Sequence, residues 1–112
     1  MGADAVIAFY GIRLRVPHDD EDAIAGLEAR TDPRLVAARK VRLDGWWGRL
    51  TDGADYHLLI GKRLGVLGSE NDAEKQMTLP ELSKLAAQTD TLLKDGGFVE
   101  SASLVFQLEA HY

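Results

Sequence analysis

The stretch from Thr78 to Gly97 spells out a helix with both of its ends, and it constrains everything on either side. Thr78-Leu79-Pro80-Glu81 is a capping box, in which the threonine oxygen can accept from the backbone N–H three residues on. Met77 and Leu82 are spaced for a hydrophobic staple across that cap. Leu79, Leu82, Leu85, Ala86, Leu92 and Leu93 then form an apolar stripe at helical spacing. Asp95-Gly96-Gly97 stops the helix, because glycine accepts the left-handed conformation of the residue past the cap.

The sequence after Gly97 switches to a two-residue period. Phe98, Ala102, Leu104, Phe106, Leu108, Ala110 and Tyr112 share one face of an expected strand. Ser101, Ser103, Gln107, Glu109 and His111 share the other, with Val99 and Val105. One buried and one wet face suits an antiparallel sheet with helices on one side, so the preceding helix is expected to cover Leu104, Phe106 and Leu108.

Residues 5–16 alternate in the same way. Val6, Ala8, Tyr10, Ile12, Leu14 and Val16 are apolar throughout, whereas the odd positions run from Ile7 and Phe9 to Arg13 and Arg15. Pro17 ends this strand. The acidic residues 19–22 precede an apolar run to Arg30 and suit the positive end of a helix dipole. Asp32-Pro33 restarts the chain as an N-cap with proline at the first helical position, ahead of a short helix through Leu35, Val36 and Arg39.

Residues 41–50 predict a strand around Trp46 and Trp47. Thr51-Asp52-Gly53-Ala54 predicts a hairpin turn, since Asp-Gly accepts positive φ. A two-residue loop would place Trp47 opposite Leu58 and Trp46 opposite Leu59. The returning strand, Tyr56–Ile60, can run on past Gly61 to Leu67 with a bulge at a glycine. Residues 68–77 are polar and predict a mobile loop. The resulting order, β-α-(α)-β-β-α-β, predicts a ferredoxin-like βαββαβ α+β fold, a four-stranded antiparallel sheet with helices on one face. That architecture carries no function by itself.

Composition bounds the rest. The 112 residues, 46% hydrophobic and 28% charged, suit one globular domain spanning 1–112. The absence of cysteine rules out disulfides and thiolate chemistry. No leader peptide and no apolar run of membrane-spanning length is visible, so the expectation is a cytoplasmic protein with no membrane partner. A net charge of −5 disfavours nucleic acid. Residues 34–63 are the exception, with seven basic residues against three acidic ones.

No chemical motif is complete. Gly61-Lys62 lacks both the upstream glycine and the following Ser or Thr of a phosphate loop, although Gly61-Lys62-Arg63-Leu64-Gly65 could form a basic turn for a small anionic ligand. His18-Asp19-Asp20-Glu21-Asp22 offers metal-ligating atoms, but consecutive residues at a helix start diverge and the helix dipole explains the acids. No metal site and no cofactor is therefore expected. His18, His57 and His111 have no spacing to a nucleophile.

Two readings follow. In the favoured one the chain is a small interaction or regulatory module, not an enzyme, that forms a homodimer through its open sheet face. Ile7, Phe9, Val99, Val105 and one of Trp46 and Trp47 would make that face apolar. Arg39, Lys40, Arg42, Lys62 and Arg63 would steer an acidic protein partner. In the alternative, a cofactor-independent small-molecule binder or enzyme has its pocket between sheet and helices, with His57, Tyr10, Asp44 and Arg49 as polar groups. The candidate binding residues are thus Trp46, Trp47, His57, Arg42, Lys62, Arg63 and Phe9. RNA stacking on the sheet is disfavoured by the charge and by too few aromatics.

Overall fold

The alternating segments pair into a single four-stranded antiparallel sheet. The structure, a computed structural model, describes residues 5–49, 54–68 and 71–109. Strands β1 (Ala5–Val16), β2 (Asp44–Gly48), β3 (Tyr56–Gly68) and β4 (Ser103–Glu109) lie in the order β2-β3-β1-β4. Helices α1 (Glu21–Glu28) and α2 (Pro33–Lys40) connect β1 to β2, and α3 (Leu79–Asp95) connects β3 to β4.

Each helix starts where a side chain can satisfy its first free N–H groups. Asp20 accepts from the Ala23 amide at 3.1 Å, Asp32 from the Arg34 amide at 2.9 Å, and Thr78 from the Glu81 amide at 3.2 Å. The Thr78 hydroxyl also donates to the Glu81 carboxylate at 3.0 Å. Asp32 is buried and takes a two-pronged ion pair from the Arg34 guanidinium, which holds its carboxyl below the usual range.

All three helices also end alike. The residue after the cap is left-handed, and two crossed backbone bonds close the last turn. At α3 the Gly97 amide reaches Lys94 O and the Phe98 amide reaches Leu93 O, with Gly97 at φ 84°. At α1 and α2 the left-handed position is an arginine, Arg30 at φ 59° and Arg42 at φ 62°.

The pairing register sorts side chains to the two faces. Ile12 faces Ile60 and Leu14 faces Leu58, and with Val16 these point to the helices, where Leu27 (α1), Leu35 and Ala38 (α2) and Leu93 (α3) complete one core. Leu35 packs so close to β2 that a Cβ on Gly45 would lie 2.7 Å from it. The register slips between Ala8 and Phe9, so that Leu64 has no partner in β1. The bulge thus falls next to Gly65. The expected pairs Trp46–Leu59 and Trp47–Leu58 are present. The turn itself, residues 51–53, lies outside the described residues, as do Ala110, His111 and Tyr112.

Two expectations are overturned. The first is that α3 covers Leu104, Phe106 and Leu108; they are 43%, 63% and 40% exposed. They do lie on the helix side of the sheet, because Leu104 pairs with Tyr10 and Phe106 with Ala8. The helix layer stops short of them: the helix-side core takes Phe98 and Ala102 from the segment before β4 but nothing from β4 itself.

The second is that Ile7 and Phe9 lie on an open face. Both are buried, and with Leu59 they form a second small core on the side away from the helices, closed by Trp46, Val66 and Val105. Gly48 makes this closure feasible, since a Cβ there would come within 2.9 Å of the Trp46 ring. Val99 is exposed, but it precedes β4 and belongs to no strand.

Candidate functional site

The seven candidate residues separate into four places, one of them held by His57 alone. Phe9, Trp46 and Arg63 meet beside Asp44 and Gly45 around a recess of about 120 Å³. That recess is small and its aromatic floor, Phe9, is fully buried. The Asp44 carboxylate accepts from the Arg63 backbone amide at 3.0 Å and so ties β2 to β3. These contacts build the second core.

Trp47 lies on the helix side, tilted against Tyr56 at a centroid separation of 5.5 Å. It borders a recess of about 160 Å³ together with Arg30, Leu35, Ala38, Arg39 and Leu43. The Arg39 guanidinium donates to Arg30 O at 3.0 Å, so the carbonyl of one left-handed arginine is held by another arginine.

Arg42 and Lys62 form the third place. The Lys62 ammonium donates to Arg42 O at 2.8 Å, repeating the arrangement at Arg30. Between this pair and α3 runs a groove of about 560 Å³, bounded by Val41, Leu85, Gln88, Thr89 and Leu92. Leu85, Thr89 and Leu92 are spaced three and four residues apart and therefore line one face of α3. The sequence singles out Arg42 and Lys62 but not their helical wall, whose signal is the breadth of the α3 stripe, running past Leu82 and Leu93 to Leu85 and Leu92.

The polar groups expected to share a pocket do not converge. Tyr10 is on the helix side, where its hydroxyl donates to Asp90 at 2.9 Å; burial, that hydrogen bond and the Asp90 charge raise its pKa. His57 pairs with Arg15 and Gly48 and points away from the helices. Its Nδ1 is buried without a hydrogen-bond partner among the described residues, and burial together with the Arg13 charge lowers its pKa. Arg49 sits over the Tyr56 ring at 4.8 Å.

His18 belongs to a different cluster. Its backbone amide donates to the Asp55 carboxylate at 2.9 Å, its ring Nδ1 lies 2.8 Å from the same oxygen, and Arg15 binds the other oxygen. Hydrogen bonds from His18 and Arg15 hold the Asp55 carboxyl well below the usual carboxylate range. Among the described residues no three His, Asp or Glu side chains are grouped to hold a metal ion, and no helix is long and apolar enough to cross a membrane.

The remaining surface feature is β4. It is an edge strand, so its outer N–H and C=O groups have no strand partner among the described residues. From Ser103 to Leu108 it carries no charge and no proline, and Glu109 ends it. The other edge, β2, is five residues long and contains Asp44 and two glycines, which makes it a poor template. No family model matches this sequence, and neither a curated protein nor a solved structure does.

Proposed function

We propose that the chain is a small interaction module that self-associates through its sheet, and that the contact is made by the β4 edge and the uncovered half of the helix-side face. The carrying observation is the stripe Leu104, Phe106, Leu108 exposed on an unprotected edge strand. A second copy is the occupant that suits it. The exposed stripe Leu104, Phe106, Leu108 reads the same in both directions about Phe106, whereas Val105 and Gln107, on the other face, do not match. Antiparallel pairing about a two-fold axis at Phe106 therefore sets Leu104 beside the partner's Leu108 and the two phenylalanines together, as a self-complementary dimer contact requires. It also satisfies the backbone groups of the free edge.

The sheet order, with β3 inserted between β1 and β2, supports reading the fold as a ferredoxin-like split βαβ arrangement. In that reading α2 is an added short helix before β2. No catalytic role is assigned, since Tyr10, His57, Asp44 and Arg49 do not meet.

Sedimentation of the wild type and of Phe106→Glu, with circular dichroism of both, tests the proposal. The expected result is a wild-type dimer and a folded monomeric variant, because two carboxylates at the axis would be desolvated and repel. A wild type that stays monomeric at about 100 μM would overturn it, that concentration being far above the dissociation constant of a specific dimer.

A further inference from the structure

The groove between α2, β3 and α3 has the chemistry of a ligand site, independently of whether the chain dimerises. Its body is apolar: Val41, Leu85 and Leu92 are half-buried and turned toward it. Its threonine hydroxyl protons are already committed, since Thr89 donates to Leu85 O at 2.7 Å and Thr91 to Ala87 O at 3.1 Å. Those threonines therefore offer no donor that would compete for an anion.

Charge is confined to one place on the lining. Arg42 and Lys62 stand there, and neither pairs with a carboxylate among the described residues. Among the described residues no acidic side chain lines the groove, in a chain with 18 acidic residues against 13 basic ones. An ammonium has three N–H donors and Lys62 uses one on Arg42 O, while the Arg42 guanidinium keeps its planar fork free. The backbone turn at Arg42 does not need that side chain, because α3 makes the same turn with Gly97.

From this geometry we infer that the groove binds a small amphipathic carboxylate, its carboxylate held by Arg42 and Lys62 and its apolar body laid along Leu85, Thr89 and Leu92. The volume of about 560 Å³ lies within the range of small-molecule sites, which runs from about 300 to 1,000 Å³. The ligand is a free molecule and not a membrane. Two cations in a recess are too few to hold an anionic bilayer surface against a net charge of −5.

Decanoate is the probe, titrated into the isotopically labelled full chain and followed by amide shifts. Saturable shifts are expected at Leu85, Gln88, Thr89 and Leu92. Arg42→Gly and Lys62→Gln should each weaken binding by roughly tenfold, as loss of one charge-assisted contact predicts. Decanol, which has the chain without the charge, should bind weakly and respond to neither substitution. Arg42→Gly relieves a left-handed arginine, so it should unfold no earlier than the wild type, and lost binding cannot be laid to lost structure. Shifts confined to β4, or decanoate affinity unchanged in the double variant, would overturn the inference. Sedimentation with vesicles of anionic phospholipid, without response to decanoate, would overturn it in favour of a membrane surface.

Discussion

Gly11 and Gly61 stand opposite each other in the β1–β3 ladder, and neither has room for a β-carbon. A Cβ on Gly11 would lie 2.1 Å from Ile60 O, and one on Gly61 would lie 2.1 Å from Tyr10 O. The two longest strands of the sheet thus cross a pair at which both side chains are absent. The clash would be with backbone, which cannot swing aside. Gly11→Ala should therefore lower the denaturant midpoint by an amount worth about 3 kcal/mol, the upper end for overpacking. An unchanged midpoint would mean that the strands separate there at little cost.

The left-handed arginines give a prediction of opposite sign. An L-residue with a side chain is strained in this conformation by roughly 1–2 kcal/mol, and glycine is not. Glycine returns part of that by freeing the unfolded chain. Arg30→Gly and Arg42→Gly should each stabilise the fold by about 0.5 kcal/mol net, and their effects should add, since they end different helices. Denaturant midpoints of the two single variants and the double variant measure this. Destabilisation by Arg30→Gly would show that its side chain matters to the fold beyond the turn.

The N-caps should rank by burial. Thr78→Ala removes one exposed acceptor from α3 and should cost about 1 kcal/mol. Asp32→Ala removes the cap of α2 and also leaves the Arg34 guanidinium without its buried partner. It should cost clearly more, about 2–3 kcal/mol. Equal losses in paired unfolding curves would show that the Asp32–Arg34 pair adds nothing to the cap.

How much of this was legible depends on the range of the interaction. Caps are local, so Asp32-Pro33, Thr78 to Glu81 and Gly96-Gly97 could be read directly. The Trp46–Leu59 and Trp47–Leu58 pairs followed from counting back across a two-residue turn. Coverage is not local. The alternation of β4 assigns Leu104, Phe106 and Leu108 to one face but does not say whether a helix reaches that far, and α3 lies over the middle of the sheet, tied to Tyr10 through Asp90. The early part of β1 was misread for a related reason. Apolar residues at both odd and even positions from Ala5 to Phe9 mark a strand buried on both sides. Which element buries the second side is set by Trp46 and Val66, far along the chain. The groove at Arg42 and Lys62 joins three elements and has no single stretch to announce it.

The last prediction is the response to acid. Asp55, at the entry to β3, ties itself to Arg15 and His18 at the exit of β1, and its carboxyl titrates below the usual 3.8. A carboxyl depressed in the folded state binds its proton less readily there than in the unfolded chain. Its stabilisation is present above the unfolded pKa and is lost as pH falls through the folded one. His57 acts with the same sign at higher pH. Burial first, and the Arg13 charge second, keep its imidazole neutral below the usual 6.5, so the unfolded chain takes up that proton earlier. Stability should therefore fall in two stages on acidification, a first that begins below about pH 6.5 and a second below about pH 4. His57→Gln should remove the first stage and Asp55→Asn the second, each leaving the other in place. Denaturant midpoints across the pH range, with the His57 ring followed by NMR, provide the check. A His57 midpoint at or above 6.5 would contradict the first assignment, and an acid limb unchanged in Asp55→Asn would contradict the second.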